Sequence, residues 1–525
     1  MYRHGLGDCF LLSFPRNPAS GKADPFTILI DCGIIPGTHA GDAKLKEVID
    51  DIRTTTGGRI DVLVATHEHA DHVSGFDPDQ KWFEGFEFDH VWLAWTEDPD
   101  DKVATSLRAN RQQRLKALWL GFHQLGQRLD ALGVSGPSRE EADQAAKVLS
   151  FFGIEPGDAP PTEGPSVASG ASGPGRTARA MTWVRSQAKE KPRYWHPGES
   201  GALPDVDGVL VYVLGPPKDL AQLHKDLPSG GKGRVVETYE EGSPAVRATP
   251  RPAASRSSST NPGAAERAFF ASAAGSQSGH AHGEHAPAAL PFDRKYRIEW
   301  DLAPRVEFFE DHYFGGDRSQ DWRRIDADWA DAATSFALQL DGDTNNTSLA
   351  LAFELPGGHV LLFPGDAQVG NWESWHADSS GRPLVFEDSA SGRKKTAESL
   401  LNRVVLYKVG HHGSHNATLR DDGLEMMNDP GFSALVPVDS YVAHVKKRWG
   451  KMPFEPLMRR LSEKVSGGRI VRADGPLEGT TAIEGLSARF EDSPINFQVR
   501  FEVEGSEEPV ERPLFVDYIL KLESP

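Results

Sequence analysis

Cysteine is nearly absent. Cys9 and Cys32 are the two in 525 residues, too few for a disulfide framework and too few for a zinc site made of cysteine alone, so a reducing, cytoplasmic setting is expected. No apolar run approaches the ~18 residues of a membrane span, and residues 1–8 lack the basic and apolar regions of a secretory signal, so no membrane partner is expected. Positive charge is also short. The 57 Lys and Arg against 76 Asp and Glu leave a formal −19, which excludes a general nucleic-acid coat or an anionic-membrane binder and leaves room only for a local basic groove. No repeat at a solenoid period is visible.

What is present points to an elaborated α/β protein. Short apolar runs at residues 9–14, 26–31, 61–65 and 90–95 read as buried strands, with a helix over 43–54 between the second and third, where Leu45, Val48, Ile49 and Ile52 share a face. Further strand-like runs follow at 209–214, 348–354, 359–364, 404–409, 432–438 and 469–473. A long helix is predicted over 105–132 and another over 142–152, the second behind the capping-box sequence at 138–141. A further helix is predicted over 321–338. The stretches 154–180 and 241–291, rich in Gly, Pro, Ser and Ala, read as flexible linkers.

Three segments carry chemistry, and each ends a predicted strand. Thr66-His67-Glu68-His69-Ala70-Asp71-His72 follows the strand at 61–65, and neutral imidazole with carboxylate suits zinc and neighbouring first-row metals. Gly365-Asp366 follows the strand at 359–364 with a carboxylate able to bridge two cations, and Lys408-Val409-Gly410-His411-His412-Gly413-Ser414-His415 closes the strand at 404–409. In α/β sheets functional groups gather at carboxyl strand ends, so the three should converge on one cleft.

This ordered set, H-x-H-x-D-H, then Gly-Asp, then His-His-Gly-Ser, resembles the metallo-β-lactamase-fold superfamily, in the branch typified by the nuclease-like domain of the competence protein ComEC. Gly7-Asp8, Asp31-Cys32-Gly33 and Asn345-Asn346-Thr347-Ser348 fit the same pattern. The resemblance implies an αββα sandwich with large helical and disordered insertions. Its first part is 1–97, a helical insertion 98–204, a core strand 205–217, a second insertion 218–334, the second part 335–475, and a C-terminal β-rich extension 476–525. It further implies that His67 and His69 hold a first divalent metal, Asp71 and His72 a second, and that Asp366 bridges. One of His411 and His412 completes the second site, with His412 favoured and His411 shaping the surroundings; Asp31 organises the loop. The superfamily's third histidine for the first metal has no counterpart here.

Two such cations, zinc or alternatively manganese at both positions, would make a hydroxide available at neutral pH, with Asp71 expected to orient it. His415 and Lys408 are the candidates for a leaving-group acid, and Lys408 alternatively holds a phosphate. The expected function is hydrolysis of a phosphodiester, with nucleic acid among the candidate substrates. The alternatives are a hydrolase of a lactone, amide or thioester, and a binding or effector module with an idle metal site whose insertions hold a protein partner. His280, His282 and His285 sit in a flexible tract and are expected not to bind metal. Cys9 and Cys32 are expected to pack as small buried side chains, and Trp372 and Trp375 to pack in the core.

Overall fold

The computed structural model describes residues 1–131, 147–154, 158, 175–225, 298, 302–314, 325–387, 394–450, 452–465, 469–477, 482–483, 486–499 and 510–522. Five strands form a first mixed sheet in the order β1 (Cys9–Phe14), β2 (Phe26–Cys32), β3 (Arg59–Val64), β4 (Glu87–Ala94) and β5 (Arg193–Trp195). β1 runs antiparallel to β2, and the remaining neighbours are parallel. Every residue of β2 is buried, as expected of a strand covered on both faces. Between β2 and β3 runs α1 (Gly41–Thr56), whose Leu45, Val48, Ile49 and Ile52 pack on Leu29, Ile60 and Leu63 of the sheet. The helix stops at Gly57, which takes φ 66°.

The second sheet has seven strands. β6 (Ser200–Ala202), β7 (Leu210–Gly215), β8 (Ala350–Glu354), β9 (Val360–Phe363), β12 (Val404–Lys408), β13 (Ser433–Val436) and β14 (Ile470–Arg472) are neighbours in that order, while β10 (Val385–Glu387) and β11 (Lys394–Thr396) form a separate hairpin. β9, β12, β13 and β14 are parallel.

The two sheets pack face to face. Phe10, Ile28, Val62 and Val64 from the first share one core with Val213, Leu351, Phe363 and Leu406 from the second, and the Phe10 and Phe363 rings meet edge to face at 5.5 Å. The outer face of the second sheet is covered by Trp372 and Trp375, at 4.0 Å between ring centroids, and by Leu400, Leu401 and Leu461. The two tryptophans are core side chains, as their apolar bulk suggests. The layering is helix, sheet, sheet, helix, the α/β class expected. No helix among the described residues is long and apolar enough to cross a membrane.

Differences from the sequence-based expectation lie between the sheets' halves. The region 98–204 contributes β5 to one sheet and β6 to the other; three residues are too few to show an alternating pattern. Residues 148–152 form a 3₁₀ turn, not the end of an α-helix, and the capping-box sequence 138–141 lies outside the described residues. The helix Arg176–Ser186 begins inside the stretch read as a linker, because its Ala180, Met181 and Val184 are buried against the first sheet. The helix predicted over 321–338 spans Ile325–Asn345. The tract 241–291, with His280, His282 and His285, lies outside the described residues.

The C-terminal strands Ala488–Asp492 and Val516–Leu520 fasten the residues that precede β1. The Met1 amine donates to the Val516 carbonyl at 3.0 Å, and Arg3 pairs with Asp492 at 3.0 Å.

Candidate metal centre

The three motif segments do converge. β2 and β3 are parallel, as are β9 and β12, so residues 31–33, 66–72, 365–366 and 408–412 all leave carboxyl strand ends at one rim of the sandwich. β1 is antiparallel to β2 with Cys9 opposite Cys32, which brings Asp8 to the same rim.

Close backbone approach explains two glycines. A Cβ on Gly33 would stand 2.4 Å from the Asp71 carbonyl carbon and from the His72 nitrogen, so the end of β2 lies flush against the H-x-H-x-D-H loop. Gly365, at φ 59°, turns the chain where a Cβ would meet Ser348 and Thr66 at 3.0 and 3.1 Å. Gly33→Ala should therefore destabilise the protein by about 1–3 kcal/mol and loosen metal binding; a wild-type urea midpoint would show that the loop yields without cost.

Asp31 organises the loop. It sits at φ 55°, accepts the Thr66 amide at 2.8 Å and the Thr66 hydroxyl at 2.7 Å, and faces His72 Nδ1 at 2.8 Å. His412 Nδ1 lies 2.7 Å from the Pro437 carbonyl, and His67 Nδ1 lies 3.1 Å from the Thr66 hydroxyl. These contacts turn the other nitrogens inward. His72 Nε2 is 3.0 Å from Asp366 Oδ2, His412 Nε2 is 2.8 Å from Asp71 Oδ2 and 3.7 Å from Asp366 Oδ2, and His67 Nε2 is 3.1 Å from His69 Nδ1.

Asp8, His72, Asp366 and His412 form a buried group that could hold a metal ion, with one ligand atom of each within 4.8 Å of the others. The chemistry of the donors fits a hard-to-borderline dication. Asp71 suits the ligand set better than Asp8. The Nδ1 atoms of His72 and His412, which Asp8 approaches at 3.7 Å, already face Asp31 and the Pro437 carbonyl, whereas Asp71 faces an inward Nε2. Asp71 Oδ1 is buried without a hydrogen-bond partner, a position where a cation would satisfy it.

The electrostatics split the imidazoles. Burial opposes charge on His72 and His412, but Asp366 with Asp8 and Asp31 outweighs it at His72, and Asp366 with Asp71 outweighs it at His412, so both pKa values rise. Burial prevails at His67, whose pKa falls well below the ordinary value, at His69, lowered to about 3, and at His411, lowered to about 4.

Lys408, a candidate acid or phosphate contact from sequence, is 1% exposed and bridges Asp8 at 2.5 Å and Asp366 at 2.9 Å, also donating to the Gly365 carbonyl at 2.9 Å. Although burial acts against its charge, Asp366 and Asp8 raise its pKa, so it is a fixed counterion. His411 stands beside the group rather than in it. Its amide donates to Asp366 Oδ1 at 2.9 Å, and its Nδ1 faces the Gln368 amide nitrogen at 3.1 Å. His415 is half-buried against Phe454, with ring centroids 5.9 Å apart. Cys9 and Cys32 are buried free thiols, as expected.

Residues that sequence reasoning left out cover the centre. Phe152 meets the His69 ring edge to face at 4.9 Å, and Phe151 lies 5.5 Å from His69 and 6.0 Å from His411 while stacking on Trp449 at 4.5 Å. Lys447 donates to Ser150 at 3.0 Å and holds this turn down. Glu68, inside the H-x-H-x-D-H loop, pairs with Arg111 of the helix Lys102–Ala131, which also reaches Glu97 at 3.5 Å. The helix Lys102–Ala131 is thus bonded to the H-x-H-x-D-H loop itself. No position in these segments carries a metal-ligand pattern; only Phe151-Phe152 as an aromatic pair hints at a packed contact.

Comparison with known proteins finds no matching family model, no matching curated relative and no matching solved structure.

Proposed function

We propose that this chain is a metal-dependent hydrolase of the metallo-β-lactamase type, acting on a phosphodiester. The observation that carries the reading is the division of ring nitrogens: His67, His72 and His412 each turn one nitrogen to an oxygen partner and the other to the centre, beside Asp71 and Asp366. The helix–sheet–sheet–helix layering and the strand-end origin of every motif support the same assignment. The phosphodiester class rests on the ComEC-like order of motifs; the buried Lys408 adds nothing to it.

His67 and His69 would hold one divalent cation, and Asp71, His72 and His412 a second, with Asp366 between them; zinc suits this donor set best and manganese is accommodated. When bound, the cations supply an activated water and a clamp on the attacked group's oxygens. The chain's own part is positional. Asp71 Oδ2 faces His412, and from that fixed position the carboxylate would orient the attacking water. Phe151 and Phe152 exclude bulk water on the His69 side.

The test is a screen of metal-loaded protein on DNA, RNA, cyclic nucleotides, bis-p-nitrophenyl phosphate and a lactone panel, with metal content measured on the same sample. Asp71→Ala should lower the rate by about 10²–10⁴-fold. Turnover of lactones alone would move the substrate class to carbon esters. Absence of bound transition metal after reconstitution would remove the hydrolase reading.

A further inference from the structure

We infer that Asp341 is a positioning residue for His69, taking the outward Nε2–H so that Nδ1 stays turned, with its lone pair free, toward His67 and the first metal position. The inference rests on the proposed metal site.

At His67, His72 and His412 the outward nitrogen is Nδ1, and each has an oxygen within 3.1 Å. His69 exchanges the roles. Its Nδ1 faces His67 Nε2 at 3.1 Å, so its outward nitrogen is Nε2, which is buried without a hydrogen-bond partner. Asp341 Oδ1 stands 3.8 Å from that nitrogen, and the carboxylate is held in place from its other oxygen by the Asn345 amide at 3.3 Å. A shift of roughly 1 Å brings the pair to hydrogen-bond distance.

The protonation states make this contact decisive. An imidazole that binds a cation is neutral, so the His69 ring carries one proton and has two places for it. On Nδ1 the proton would point at His67 Nε2 and the nitrogen could not bind a cation. On Nε2 it meets a carboxylate, the arrangement in which an outer acid fixes the tautomer of a metal-binding imidazole. Position matters too. Asp341 lies on the helix Ile325–Asn345, one turn before the Asn345–Ser348 segment that stands where the superfamily carries its third histidine. With two imidazoles in place of three, the first position depends on His69 being correctly turned.

The experiment uses the full chain labelled with ¹⁵N at its 19 histidines, the His69 signal being assigned by its loss in His69→Gln. In the metal-free protein the Nε2–H form of His69 is expected to dominate, and Asp341→Asn should shift it toward Nδ1–H. Zinc titration against a chromophoric chelator should show the weaker of two sites lose about 10–100-fold in affinity in Asp341→Asn, with the other unchanged. Asp343→Asn, which alters the Arg114 partner two residues along the same helix, should leave both sites as in wild type. An identical tautomer ratio in wild type and Asp341→Asn, or equal weakening of both sites, overturns the inference. A wild type that binds no zinc sinks the hydrolase reading, while the tautomer ratio still decides the role of Asp341.

Discussion

Lys408→Ala should destabilise the protein by about 3–5 kcal/mol, the range for removing one partner of a buried ion pair. The side chain is 1% exposed and separates Asp8 from Asp366, so its loss leaves two buried carboxylates facing each other without a counterion. The urea midpoint should fall with little change in slope, since the surface exposed on unfolding is the same. The result separates two roles. A general acid or phosphate contact would be dispensable for folding, and its alanine variant would keep the wild-type midpoint while losing activity. A midpoint within about 1 kcal/mol of wild type would therefore contradict the counterion role.

Metal affinity should depend steeply on pH. His72 and His412 are raised above the ordinary 6.5, so a metal that takes their Nε2 atoms must displace a proton from each below those raised values. Two protons correspond to about a 100-fold change in affinity per pH unit in that range, flattening above it. The sign for the metal-free protein runs the other way. Protonated His72 and His412 stabilise the fold fully below 6.5, and this contribution is lost as pH rises through their folded values. His67, His69 and His411 are held neutral, so theirs is present above 6.5 and fades as pH falls toward about 4 at His411 and about 3 at His69. The centre's contribution to metal-free stability is then largest near pH 6.5. Zinc competition and thermal melts across the pH range check both; an affinity independent of pH would remove His72 and His412 from the ligand set.

The strands bearing the motifs were legible because each is an unbroken apolar run ending in a polar cluster, and the H-x-H-x-D-H spacing marked the centre. Asp8 entered only within the supporting Gly7-Asp8 match and with no site role, and Asp341 and the Phe151–Phe152 cover did not enter. Asp8 is brought in by antiparallel pairing of β1 with β2, and Asp341 by a helix far along the chain, neither of which leaves a local spacing signal. Lys408 read as an available cation for the same reason: its two carboxylate partners are 400 and 42 residues away in sequence. The three-residue strands β5 and β6 owe their place to sheet neighbours rather than to their own pattern.

The ligand set joins positions far apart on the chain, since His72 and Asp366 face each other at 3.0 Å across 366 − 72 = 294 residues. Loop-closure entropy grows only with the logarithm of that length, so doubling the intervening chain would cost about 0.6 kcal/mol. The sheets, not the connection, hold the two positions in register. Material inserted between them can lengthen or shorten with little effect on how the centre assembles, and a cation bound there would act as a cross-link spanning more than half of the polypeptide.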